Sequence, residues 1–102
     1  MTTYVLTIDF REGFYNDTVI VFDNKKEVIH KANVTSKTMT GFADSARLQL
    51  EPGKHNLRVL LQEKEVNLEV TIEINTPLFL GLNYKPQKGL EYQLQGEPFR
   101  YM

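Results

Sequence analysis

The sequence predicts an all-β protein, an antiparallel β-sandwich of about seven or eight strands, and three observations lead to this prediction. Apolar and polar residues alternate without a break from Val66 to Ile74, which is the period of a strand with one buried face. Short runs of the same kind recur along the chain between turn signals, as in sandwiches and barrels. No segment carries the apolar stripe of an amphipathic helix.

Composition sets the first limits on function. The chain has 102 residues, Lys+Arg 12 against Asp+Glu 13, a formal net charge of -1 and no cysteine. These values fit one globular domain over residues 1–102 and exclude a disulfide framework, a thiolate metal site and a cysteine nucleophile. Without a basic excess we expect no nucleic-acid partner. The opening residues contain neither a signal peptide nor a membrane-spanning stretch, so the expected compartment is the cytoplasm by default.

The first half of the chain contains three predicted strands. Residues 4–10 alternate, with one apolar face. Residues 18–22 are β-branched and apolar on both faces, which indicates a central strand. The polar turn at 23–26 joins this strand to an antiparallel partner around Ile29. The following segment, 35–44, is expected to be a long loop, with a short helix or a frayed edge strand as alternatives.

Two details of the middle of the chain follow from residue type. Met39 and Phe42 are the apolar residues of the predicted loop, and we expect both to be tucked beneath it. After the alternating segment 46–50, Pro52 and Gly53 form a turn, because proline suits the second position and glycine supplies the positive φ of the third. Whether this reversal makes a hairpin or an arch between two sheets is left open.

The second half contains the strongest pairing signal. The run 55–62 and the run 66–74 are separated only by three charged residues, so they are predicted to form a hairpin with Leu61 opposite Val66. This register puts Arg58 opposite Glu69 on the outer face, as an ion pair. Two further strands, at 78–82 and 90–94, follow the breakers at 75–77 and 85–89.

The order of these features resembles small immunoglobulin-like or prealbumin-like sandwich modules, such as carboxypeptidase regulatory-like and PEGA domains. The resemblance lies in the strand 19–22 with its turn 23–26, and in the stretch 48–59, where leucines, Pro-Gly, a histidine and an alternating strand follow one another. It implies the sandwich fold more than any activity. Prealbumin relatives that hydrolyse purine intermediates end in Tyr-Arg-Gly-Ser, whereas this chain ends Phe-Arg-Tyr-Met, so their catalysis does not transfer.

No catalytic constellation is visible in the residues. The two histidines, His30 and His55, lie on different predicted strands with no acidic residue at ligand spacing. Ser36 and Ser45 lack a nucleophile elbow, and the six glycines fall at turns and not in a phosphate-binding array. We therefore expect no catalytic residue, no cofactor and no metal.

Loop carboxylates leave calcium open as an alternative ligand. Asp9, Glu12 and Asp17 flank one loop, and Asp23 and Glu27 flank another. Neither group has the order of a dedicated calcium loop, and solvated turn charges account for both. Carbohydrate binding is possible too, although it usually relies on flat aromatic platforms and the chain contains no tryptophan.

Five residues are candidates for contact with a partner: Leu60, Tyr84, Tyr92, Phe99 and Tyr101. Leu60 lies on an otherwise polar strand face, and the four aromatic residues cluster toward the C-terminus. Phe99 and Tyr101 follow the last strand, where they either pack back on the sandwich or cover another chain.

The predicted function is a non-catalytic interaction or accessory module that contacts a protein partner, or a second copy of itself, through its surface or an edge strand. The first alternative is a carbohydrate- or calcium-binding sandwich that uses the loop carboxylates and Tyr84 or Tyr92. The second is a small hydrolase built around His30 or His55, which requires a pocket that brings one of them near a carboxylate.

Overall fold

The computed structural model of the chain describes residues 2–37, 39 and 41–100. This part of the chain forms eight strands and no helix, so none of it is a helix that could span a bilayer. The strands are β1 (Tyr4–Phe10), β2 (Asp17–Asp23), β3 (Lys26–Val34), β4 (Asp44–Leu50), β5 (Gly53–Leu61), β6 (Val66–Ile74), β7 (Leu78–Lys85) and β8 (Gly89–Gln95).

The strands form two four-stranded sheets, which confirms the all-β sandwich. One sheet, called here the β1 sheet, has the order β4-β1-β7-β8, and the other, the β2 sheet, has the order β3-β2-β5-β6. All neighbours are antiparallel except β1 and β7, which run parallel. The strand predicted to be central, β2, lies between β3 and β5, as its two apolar faces require.

The core is formed by alternate side chains of both sheets. Leu6, Ile8 and Phe10 of β1 are fully buried, as are Val59 and Leu61 of β5. Such side chains meet between the sheets because period-two alternation directs every second residue to the same face. Burial of these aliphatic and aromatic groups is the main favourable contribution to folding.

The hairpin of β5 and β6 has the predicted register. The pairs are those expected from the alternation: Leu61 with Val66, Val59 with Leu68, Leu57 with Val70, and Arg58 with Glu69. A shift by one residue would have turned every apolar side chain of β6 to the solvent, which is why the pattern was sufficient to fix the pairing.

The prediction of an ion pair between Arg58 and Glu69 is wrong, although the two residues lie opposite each other on β5 and β6. The Arg58 guanidinium carbon lies 4.5 Å from the centre of the Phe22 ring on the neighbouring strand, and its Nη1 donates to Asn67 Oδ1 at 3.4 Å. Stacking on an aromatic face takes the guanidinium away from the carboxylate across the strand.

The turn at Pro52 and Gly53 is an arch between the sheets. It joins β4 of the β1 sheet to β5 of the β2 sheet, and Gly53 has the expected positive φ, 124°. Sequence reasoning left this choice open because a Pro-Gly turn serves both connections.

One prediction for the loop between β3 and β4, the burial of Met39, is wrong. Met39 is 91% exposed and does not lie beneath the loop, whereas Phe42 is half-buried. The Ser36 N–H donates to the Phe14 carbonyl, and Lys37 pairs with Phe42 in an isolated bridge. These contacts anchor the two ends of the segment, so its tip, with Met39, is left in solvent.

Two charged contacts tie the sheets together. At one side, Lys31 of β3 donates to Asp44 of β4 at 3.0 Å. At one end, the Lys64 ammonium contacts both carboxylate oxygens of Asp17 at 2.6 and 2.5 Å and lies 4.8 Å from the centre of the Tyr84 ring in the other sheet. Asp17 is only 1% exposed, so this contact compensates a buried charge.

Candidate functional site

Edge strand β8 carries two of the exposed large apolar side chains of the described residues. Tyr92 is 49% exposed and Leu94 is 37% exposed. Both face the interior side of the β1 sheet, since Tyr92 pairs with the buried Leu82 and Leu94 with the buried Leu80. They therefore form an open apolar rim of the sandwich at the side where β6 and β8 approach each other.

The β8 rim continues onto β6. Val66 and Leu68, on the inner face of β6, are half-buried, and the Val66 side chain lies near Gly89 at the start of β8. Tyr84, another predicted contact residue, is half-buried against the core and covered by Lys64, so it belongs to the interior and not to this rim.

The backbone of β8 completes this edge. In β7, the Leu82 carbonyl accepts from the Arg11 N–H, and the Tyr84 N–H donates to the Glu12 carbonyl. The backbone hydrogen-bonding groups of these two β7 residues therefore point away from β8. Alternation of the ladder then leaves Leu90, opposite Tyr84, with its N–H and C=O directed outward from the sheet. The backbone N–H and C=O groups of Tyr92 and Leu94 point the same way, because these residues lie two and four positions after Leu90.

Leu60 lies on the outer face of the β2 sheet, away from the rim. It is half-buried and pairs with Ile20 of β2, which is only 8% exposed although it also faces outward. The leucine is therefore explained by a small apolar patch with its neighbour on the central strand, a pair that the two-faced apolar character of β2 could have indicated.

Phe99 packs back on its own sandwich. Its ring lies over Gly81 of β7, where an added Cβ would be 2.8 Å from the ring's Cζ, and the Arg11 guanidinium carbon lies 4.8 Å from the ring centre. The described part of the segment after β8, residues 96–100, thus crosses the outer face of the β1 sheet, on the side opposite the inward-facing rim residues. Tyr101 lies outside the described residues.

His55 does acquire a carboxylate partner, contrary to the expectation from spacing. Its Nδ1 lies 3.0 and 3.1 Å from the carboxylate oxygens of Asp23, and its Nε2 lies 2.7 Å from the Glu51 carbonyl. Asp23 is 32 residues away in sequence, and it is brought close by the pairing of β2 with β5. Both ring nitrogens face acceptors, so this imidazole favours the doubly protonated, donating form.

The pKa of His55 reflects this arrangement. Burial opposes the charge on the ring and is the largest single influence. The hydrogen bond to the Glu51 carbonyl, together with the hydrogen bond and charge of Asp23, outweighs it and raises the pKa above the usual histidine range. With neither nitrogen available to a substrate, His55 is suited to holding the β4–β5 arch against β2, and not to general-base catalysis.

The other polar candidates are distributed over the surface. The His30 Nδ1 lies 3.8 Å from Glu27 Oε1, and both side chains are about half exposed. Among the described residues, no three histidine or acidic side chains are close enough to hold a metal ion. Asp17, one of the suggested calcium ligands, uses its carboxylate to accept from Lys64 and from the Tyr15 N–H.

The four predicted contact residues that the structure describes are therefore not one patch: Tyr92 lies on the rim, Tyr84 beneath Lys64, Leu60 on the other sheet and Phe99 over β7. Leu94 was missed, although its alternation with Leu90 and Tyr92 placed it on the same face. Comparison of the sequence with protein-family models and with curated proteins finds no match.

Proposed function

We propose that this chain is a non-catalytic interaction module that pairs with a second copy of itself through edge strand β8. The observation that carries the proposal is the combination, on one edge, of outward-directed backbone groups with the exposed side chains of Tyr92 and Leu94. A strand added there would satisfy the free backbone groups and bury the apolar rim at the same time.

The other edge strands carry the features that discourage such pairing. β3 contains Lys26 and Lys31 and two register irregularities against β2. β4 is tied to β3 through Asp44, and β6 presents Glu69 and Glu73 on its outer face. Lysines, bulges and repeated charges are the usual protection of edge strands.

Charge favours self-pairing of β8. Its one charged residue, Glu91, already contacts Lys85 at 3.2 Å. In an antiparallel pair with the two-fold axis at Gln93, Glu91 lies opposite Gln95 of the second copy and Tyr92 lies opposite Leu94 of the second copy. No like charges are opposed, and an apolar pair forms on each side of the axis.

The strand order supports a prealbumin-like topology over an immunoglobulin-like one. In immunoglobulin constant domains the first and second strands are in one sheet. Here β1 and β2 lie in different sheets, and β1 pairs in parallel with β7. We therefore propose the prealbumin-like arrangement. Because a fold does not by itself specify a function, the function of this chain is assigned to the surface of the sandwich.

The test is the solution mass of the chain over a concentration series, measured by analytical ultracentrifugation. We expect a reversible dimer, and Leu94→Lys should weaken it at least about tenfold by adding an inward-pointing charge to the edge. Gln49→Lys is the matched control, since it adds the same charge on the outer face of β4. A wild-type chain that stays monomeric, or a dimer that both lysines weaken equally, contradicts the proposal.

A further inference from the structure

The outer face of the β2 sheet contains an open depression of about 750 Å³, remote from the β8 rim. Its lining includes Phe22 of β2, Asn24 and Lys25 of the β2–β3 turn, and Asn56 and Arg58 of β5. A concave surface of this size, lined by an aromatic ring and several polar side chains, has the general form of a small-molecule site.

Internal hydrogen bonds orient the two amides of the depression. Asn24 Oδ1 accepts from the Asn56 N–H at 3.0 Å, and Asn56 Oδ1 accepts from the Thr71 hydroxyl at 3.0 Å. Both amide oxygens are thus used within the protein. Their NH₂ groups can each donate two hydrogen bonds, and among the described residues no side chain accepts from them.

Two cations add further donors. The Arg58 guanidinium carbon lies 4.5 Å from the centre of the Phe22 ring, and the guanidinium's hydrogen bond to Asn67 at 3.4 Å uses one donor of five. Lys25, at a positive φ of 76° in the turn, lines the same depression. A stacked guanidinium presents a fork of N–H groups that matches a carboxylate better than a lysine does.

Glu69 supplies the opposite chemistry at the edge of the depression. It is exposed, lies opposite Arg58 across the strand pair, and makes no ion pair with it. A ligand that is only an anion would be repelled by this carboxylate. A ligand that also carries hydroxyl groups would donate to it, so the site contains acceptor and donor chemistry for both parts of such a molecule.

We propose that this depression binds a hydroxylated carboxylate, the chemistry of an acidic sugar. The carboxylate pairs with Arg58 and Lys25, ring oxygens accept from the amides of Asn24 and Asn56, and a hydroxyl donates to Glu69. The exposed position and the small number of charged contacts predict weak binding of a single sugar unit.

The test is an NMR titration that follows the side-chain amide signals of Asn24 and Asn56. Glucuronate, glucose, acetate and sulfate are compared at constant ionic strength. We expect saturable shifts with glucuronate and binding at least about tenfold weaker for glucose, because glucose lacks the charge-assisted hydrogen bonds. Acetate and sulfate should bind more weakly than glucuronate. An absence of saturable shifts, or equal binding of glucose, overturns the proposal.

Variants distinguish recognition of the ligand's carboxylate from recognition of its hydroxyl groups. Arg58→Gln should weaken glucuronate binding about tenfold, whereas Arg47→Gln, on the outer face of the other sheet, should leave it unchanged. Glu69→Gln should reduce the preference for glucuronate over acetate. If Arg58→Gln fails to fold, Lys25→Gln, in an exposed turn, replaces it. Equal binding of acetate and glucuronate, unaffected by Glu69→Gln, would mean a simple anion site and would refute the proposal.

Discussion

At the scale of single residues, the fold depends on a few contacts that bring the chain unusually close to itself. Gly13, in the β1–β2 loop, has a φ of 92°, and an added Cβ would lie 1.8 Å from the Tyr84 carbonyl oxygen. The backbone around it is held by the hydrogen bond from Tyr84 to Glu12, at 2.8 Å. Only glycine meets both the dihedral and the spatial requirement.

Replacement of this glycine should therefore be costly. We expect Gly13→Ala to lower the free energy of unfolding by more than about 3 kcal/mol, since backbone atoms must move. Gly53→Ala is the control, because Gly53 also has a positive φ but has no atom within 4 Å of an added Cβ. That change should cost only about 1 to 2 kcal/mol of dihedral strain. Equal losses in urea denaturation would rule out a role for the Tyr84 contact.

His55 should make stability depend on pH. Its pKa is raised in the folded state, so its contribution is fully present below the unfolded value of about 6.5 and is lost as pH rises through the folded value. We expect His55→Gln to cost about 1 to 2 kcal/mol near pH 6 and less near pH 8. The measurement is urea denaturation at several pH values. A difference between wild type and His55→Gln that is constant with pH would count against this account.

At the scale of elements, local pattern determined the strands and the β5–β6 register, because side-chain alternation acts between neighbours. It did not reveal the parallel pairing of β1 with β7, the approach of Asp23 to His55, or the position of Phe99 over Gly81. Each of these contacts joins segments that are far apart in sequence, and the type of a residue does not indicate which distant residue it will contact. Alternation places Leu94 on the same face as Tyr92, but it does not reveal that both side chains are exposed, since their exposure depends on where the other sheet ends.

The segment after β8 can be tested as an element. Gly81→Ala places a methyl group 2.8 Å from Phe99 Cζ and 3.0 Å from Arg11 Cδ, both at movable side-chain positions. We expect a stability loss below about 1 kcal/mol and faster amide exchange at Glu97, Phe99 and Arg100. Gly96→Ala, with open space around it, is the matched control and should leave exchange at these residues as in the wild type. Unaltered exchange in Gly81→Ala would show that Phe99 does not hold the segment down.

At the scale of the whole molecule, Lys64 connects the two sheets at one end, since its ammonium contacts the buried Asp17 of the β2 sheet and lies over the Tyr84 ring of the β1 sheet. Lys64 comes from the turn of the β5–β6 hairpin, while Asp17 begins β2 and Tyr84 lies in β7. Loss of the ammonium would leave a carboxylate that is 1% exposed without its cation. Such an uncompensated charge is far more destabilising than the loss of an exposed ion pair.

We expect Lys64→Met to lower the free energy of unfolding by about 3 kcal/mol, measured by urea denaturation at neutral pH. Lys85→Met removes a lysine from the exposed pair with Glu91 and should cost less than about 1 kcal/mol. If the two variants lose similar stability, Lys64 does not compensate the buried charge of Asp17.

The parallel pairing of β1 with β7 also bears on how the chain reaches its fold. The β2 sheet is complete once residues 17–74 are available, whereas the β1 sheet needs β7 and β8 as well. During synthesis, β1 would therefore leave the ribosome before β7, and its edge toward β7 would stay unpaired until β7 was synthesised. Long-range closure of this kind slows folding and prolongs the exposure of an apolar strand to aggregation, so this chain should fold slowly for its length.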